Sequence, residues 1–173
     1  MPALTLAQEE TLRQFVYNDP VYGLLDYSWY QPEADCWTLK AWLAEPSTQT
    51  VWKNLLQLAT IMQNGFDWTQ VDNLTIGKAR IWEWLWWVEG GINPSKPNVR
   101  AAIEECWKGT AAMLAVRASV LEHCKRIATR FEAIFLVGTG TNAVPVNLVI
   151  DSQKGLTFGE VREIFREWVP RPV

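Results

Sequence analysis

Residues 81–88 read Ile-Trp-Glu-Trp-Leu-Trp-Trp-Val, with seven of eight positions apolar and Glu83 the exception. A helix through this stretch has no polar face at that end. Such a helix either lies centrally in a core or is covered by a partner. Trp82 and Trp86 fall at i and i+4 on one face, and Trp84 and Trp87 at i and i+3 on another. A chain of 173 residues with 11 Trp can bury several indoles. Burying two opposite faces of one helix in so small a core is harder, so one face is expected to meet another subunit.

The flanking chain is punctuated like a helical protein. Thr5 and Gln8 form a capping box, Leu12, Phe15 and Val16 follow at helical spacing, and Asn18-Asp19-Pro20 stops the helix. Residues 21–34 are aromatic and turn-rich and read as a loop. A short helix follows from Asp35 to Leu43, broken at Glu45-Pro46-Ser47-Thr48. Between Thr50 and Met62, Thr50-Val51-Trp52 suits a strand start. The spacing of Val51, Leu55, Leu58 and Met62 favours a helix. Asn64-Gly65 is a turn.

Asn73 or Thr75 opens the Trp helix, which runs to about Val88 and ends at Gly90-Gly91. Asn93 as N-cap and Pro94 at the first helical position open another, to about Lys108, with Val99, Ile103, Cys106 and Trp107 on one side. After Gly109-Thr110 a long helix is expected from Ala111 to about Phe135. Leu114, Leu121, Ile127, Phe131 and Ile134 would be its buried side, and Arg117, Lys125, Arg126 and Arg130 its basic side.

Gly138-Thr-Gly-Thr-Asn142 breaks the pattern. Val144, Val146, Leu148 and Ile150 then alternate like a strand, so a hairpin with Phe135 to Val137 as its first arm is expected. Two strands alone are marginal in water and need another surface. Asp151 to Gly155 is a turn. Thr157 and Glu160 form a second capping box before Val161, Ile164, Phe165 and Trp168, and Pro170 and Pro172 end the helix. The expected fold is mainly α: a single-domain helical bundle over 1–173. Its helical core spans about 5–135, a β-hairpin or extended arm lies near residues 135–150 within a segment of about 136–155, and a C-terminal helix and tail occupy 156–173.

Chemistry-bearing constellations are sparse. The lone His123 adjoins Cys124, but neighbours on a helix point about 100° apart, so they do not form a nucleophile pair. The three cysteines lack the spacing of a zinc site and read as reduced, buried thiols of a cytosolic protein. The Gly-Thr-Gly-Thr run lacks the Lys of a Walker loop and the third glycine of a dinucleotide fingerprint. Glu9-Glu10 and Glu104-Glu105 lie beside Arg or Lys and read as solvated faces. No catalytic residue, cofactor or metal is expected. Net charge is -3 and pI about 5.2, which disfavours a reader of phosphate backbones. Mean hydropathy of -0.08 without a long apolar run gives no membrane span, and the first residues do not make a secretory signal.

The strings IMQNGFDWTQVDNLTIGKARIWEWL, INPSKPNVRAAIEECWKGTAAMLAVRASVLEHCKR and FEAIFLVGTGT resemble the head–tail connector (adaptor or neck) proteins of tailed bacteriophages. The resemblance covers roughly residues 58–165. It rests on the NPS/KPN helix start, the WKGTAA break and the GTGT turn, in that order. Residues 1–57 match less well, and the Trp86-Trp87 pair and residues 142–155 depart from the pattern. The resemblance implies a structural virion protein: a homo-oligomeric ring, twelve-fold like the portal above it, joining capsid to tail at the head–tail junction after assembly in the host cytoplasm. Portal and neck or tail proteins would be its partners, and genomic DNA would pass through without specific binding. It offers no catalytic residues. The subunit and partner interface is expected at Trp82, Trp84, Trp86, Trp87, Arg117, Arg126, Arg130, Val144, Val146, Leu148 and Trp168. Other expectations are a tail terminator or stopper ring, or a ligand-binding or enzymatic domain using the Trp cluster, with His123, Glu104 and Glu105 as its test residues.

Overall fold

The computed structural model describes residues 4–19, 33–87, 90–136 and 155–165. The described chain is mainly α, with eight helices and one two-stranded antiparallel sheet. Its residues group into two compact units. The first comprises 1–48, 128–137 and 148–173, and the second 49–127 and 138–147. The chain changes unit inside β1 (Pro46–Trp52) and again inside β2 (Lys125–Thr129), the two strands that pair with each other.

In the first unit, α1 (Leu6–Asn18) begins at the Thr5 capping box with Gln8 and ends at Asp19, whose extended backbone precedes Pro20. α2 (Glu33–Ala44), α7 (Arg130–Ile134) and α8 (Phe158–Phe165) complete it. α1 and α2 each pack against both α7 and α8. The core joins Leu12 and Val16 of α1, Leu39, Trp42 and Leu43 of α2, Phe131 of α7 and Val161, Ile164 and Phe165 of α8. Arg13 ties α1 to the end of α8, because its Nε donates to the Ile164 carbonyl at 2.8 Å. That carbonyl is in the last turn of α8, where helical partners run out. The backbone N–H of Thr157 donates to Glu160 at 2.7 Å and holds that carboxyl below its ordinary range.

The second unit contains α3 (Leu58–Met62), a 3-10 turn (Trp68–Gln70), α4 (Ile76–Trp86), α5 (Pro97–Cys106) and α6 (Ala111–His123). α5 packs between α4 and α6, and α6 also meets α3 and the 3-10 turn. The core gathers Ile61, Phe66, Trp82, Ile92, Ile103, Cys106, Trp107, Val116 and Val120. The aromatic rings meet edge to face: Trp82 lies 5.1 Å from Trp107, and Phe66 lies 5.6 Å from Trp107.

The structure departs from several sequence expectations. Residues 50–52 are strand, not helix, and α3 starts only at Leu58. Thr50 and Val51 are buried there, whereas Leu55 and Met62 of the supposed helical face are exposed. Second, α5 starts at Pro97 with Lys96 as its cap. Asn93 instead closes a turn, its Oδ1 accepting from the Ser95 backbone at 3.0 Å and hydroxyl at 2.6 Å. Pro97 supplies the pre-set first helical position that Pro94 was expected to fill.

Third, the long helix after Thr110 breaks at Cys124 into α6, β2 and α7. Thr129 starts α7 with its own capping box, since Glu132 donates its backbone N–H to the Thr129 hydroxyl and accepts from the Thr129 backbone. The buried face of α6 is Met113, Val116 and Val120, while Leu114 and Ile127 are exposed. α6 is apolar on several sides, so spacing alone did not choose among them. Phe135, expected as a strand arm, caps α7 and is buried. Residues 33 and 34 of the expected 21–34 loop belong to α2; the rest of that loop, the rest of the expected hairpin and the tail after Phe165 lie outside the described residues.

Candidate functional site

The Trp helix divides its indoles as their spacing requires. Thr75 caps α4 by accepting from the Lys78 N–H, which sets the helical phase. In that phase Trp82 points into the core of the second unit and is 8% exposed. Trp86 packs edge to face on it at 5.3 Å. Trp84 is 58% exposed and Trp87 80% exposed. Two large indoles on one short helix, both mostly in solvent, are unusual unless something covers them.

Beside Trp84 runs an apolar groove of about 420 Å³ between α4 and the start of α5, lined by Ile81, Trp84, Leu85, Ile92, Val99 and Asn93. Gly91 also lines it. Arg100 holds the α5 side of this region. Its guanidinium donates to the Pro94 carbonyl at 2.7 Å and the Ser95 carbonyl at 2.9 Å, and lies 4.6 Å from the Trp52 ring. Burial lowers its pKa from the usual guanidinium value, against the pull of Glu104.

The other expected interface residues that are described are divided between the two units. Arg117 and Arg126 belong to the second unit and Arg130 to the first. Arg130 is committed within its own unit: it pairs with Glu45 at 3.0 Å, lies 4.8 Å from the Trp42 ring, and its backbone N–H donates to the Glu45 carbonyl. Lys125 pairs with Glu122 at 2.8 Å, and Arg126 donates to the Ile127 carbonyl at 3.2 Å. The single basic helix side is therefore corrected, because β2 interrupts it. Val144, Val146, Leu148 and Trp168 lie outside the described residues.

His123 does not meet a thiol as a base would. Its Nδ1 donates to the Ser119 carbonyl one turn back, at 2.7 Å. Burial pushes the Cys124 thiol from 9.0 up to about 12, and the Cys106 thiol up to about 11. Cys36, expected buried, is partly exposed. Glu105 pairs with Lys108 at 2.6 Å on the surface. Among the described residues no group of three His, Cys, Asp or Glu could hold a metal ion, and no helix is long and apolar enough to cross a membrane.

These thiols give two expected results. In the folded protein near pH 8, a disulfide reagent modifies Cys36 rapidly, and Cys106 and Cys124 only as the chain opens. Equal labelling rates for all three would contradict the burial. The raised thiol pKa values also link stability to alkaline pH. The unfolded chain loses these protons near pH 9.0, the folded chain only at about 11 and 12. Their contribution is intact below pH 9 and is lost as pH climbs through that window, by about 1.4 kcal/mol per thiol per pH unit. Urea midpoints at pH 8 and 10 should separate more for the wild type than for a Cys106→Ala/Cys124→Ala variant.

Sequence spacing could have found one further feature. Ile76, Arg80, Glu83 and Trp87 share an exposed face of α4. Its two charged members, Arg80 and Glu83, lie between Ile76 and Trp87 along the helix. Comparison of the chain with protein-family models, with curated proteins and with solved structures returns no match.

Proposed function

We propose that this chain is a head–tail connector protein of a tailed bacteriophage, an adaptor forming a ring beneath the portal. The exposed indole face of α4 carries the reading: Trp84 and Trp87 stand in solvent while Trp82 and Trp86 anchor the same helix inside. Large indoles left exposed side by side mark an interaction surface. The three strings that resemble connector proteins support the reading, and so does a mainly helical chain. In this reading the chain is a building block and needs no cofactor. It sits in the virion at the junction of capsid and tail. A net charge of -3 per copy leaves a ring with little attraction for phosphate, which suits a channel through which DNA slides.

The test is a density map of the intact particle at the head–tail junction. Twelve copies of this chain seated against the portal are the expected result. Its absence from the junction, or a six-fold ring beside the tail tube, would overturn the adaptor role.

A further inference from the structure

The exposed face of α4 is apolar at both ends and charged at its centre. Ile76 is 77% exposed at the start of the stripe and Trp87 80% exposed at its end. Arg80 and Glu83 lie between them, both exposed, and among the described residues neither makes an ion pair. Trp84 flanks the stripe on the side where Gly77 lies. A glycine inside a helix destabilises it relative to alanine. A Cβ at residue 77 would meet nothing within 4 Å, so the chain's own described packing does not require glycine there.

We propose that α4 packs antiparallel against α4 of a second copy, about a two-fold axis passing between residues 81 and 82. One register satisfies every feature of the stripe. With Arg80 set against Glu83 of the second copy, Ile76 lies against that copy's Trp87. Each Trp84 lies over the gap left by the opposite Gly77 and beside the opposite Arg80, whose guanidinium can face the indole. Two-fold symmetry makes each contact twice. The charges favour a second copy over an unrelated partner. A face carrying one unpaired cation and one unpaired anion, placed symmetrically about its centre, is complementary to itself.

Four indoles and two isoleucines make a small interface, under about 1,200 Å² in total, so the dimer is weak, with a Kd on the order of 10 μM. An isologous contact closes at two copies, whereas a ring is built head to tail. The inference therefore concerns the free protein and does not rest on the connector reading, whose test is made on the particle.

Sedimentation velocity of the full chain from about 1 to 200 μM tests it. The wild type should pass from monomer to dimer. Arg80→Glu and Glu83→Arg should each weaken dimerisation about tenfold or more, because each sets like charges in opposition. An equimolar mixture of the two variants should recover dimer, since one copy then presents two anions and the other two cations. A Trp84→Ala/Trp87→Ala variant should stay monomeric with unchanged circular dichroism, both side chains being outside the core. A wild type that stays monomeric throughout would overturn the proposal. So would charge variants that dimerise like the wild type, or single variants that weaken dimerisation but do not recover on mixing. That last result would mean Arg80 and Glu83 face a different surface.

Discussion

Trp107→Ala should lower the unfolding free energy by about 3–5 kcal/mol, among the costliest single truncations available in this chain. Trp107 is 0% exposed and caps α5. Its ring is the shared edge-to-face partner of Phe66 and Trp82. Alanine would leave a cavity bounded by the Phe66 and Trp82 rings, which cannot fill it without moving α4 and the segment between α3 and the 3-10 turn. Trp107→Phe makes the informative comparison. The Trp107 indole N–H is buried with no hydrogen-bond partner among the described residues. Removing an unpaired buried donor recovers its desolvation penalty, which offsets part of the lost volume. Phenylalanine should therefore cost under about 2 kcal/mol. Urea unfolding followed by circular dichroism reads both. Equal losses would mean that the indole N–H has a partner whose loss outweighs the volume that phenylalanine keeps.

Gly91→Ala should cost about 3–5 kcal/mol through a different mechanism, backbone collision. Gly91 has a φ of +112°, and a Cβ there would lie 2.3 Å from the Leu56 carbonyl oxygen and 2.9 Å from its carbon. These are backbone atoms and have no rotamer to escape through. They belong to the bridge in which Leu56 donates to Ile92 at 2.8 Å and Ile92 donates back at 2.9 Å. Relieving the clash separates a pair of buried residues and strains both bonds. Gly90→Ala is the control. Gly90 also has a positive φ, of +92°, but its Cβ would meet nothing within 4 Å. It should lose only the backbone term, about 1–2 kcal/mol. Comparable losses at 90 and 91 would show that the collision does not govern the site.

The Gly90-Gly91 pair is legible as a helix terminator. Nothing local shows that one of the two lies against a carbonyl brought from residue 56. The same holds for the break at Cys124. Residues 125–129 carry helical spacing with both neighbours, and β1, more than 70 residues earlier in the chain, supplies the pairing that makes them a strand. β-propensity is a response to such surroundings more than an intrinsic preference.

The candidate face of α4 was legible in outline. Helical geometry alone sets Trp82 and Trp86 on one side and Trp84 and Trp87 on another. Which side lies inside depended on Phe66 and Trp107 arriving from elsewhere in the chain. The basic group failed for the complementary reason. Its members were counted along a helix that ends before Lys125, and Glu45 claims Arg130.

By itself the sequence determined what is set within a turn or two of helix. The caps at Thr5, Thr110 and Thr157, the end of α1 before Pro20, and the mainly helical class follow from local hydrogen bonding and local spacing. Tertiary structure alone decided the strands, the inward face of α6 and the partition into two compact units. Each of these depends on contacts between residues distant in the chain, and where several faces of a helix are apolar the free energy of burial selects among them only when the opposing surface is present.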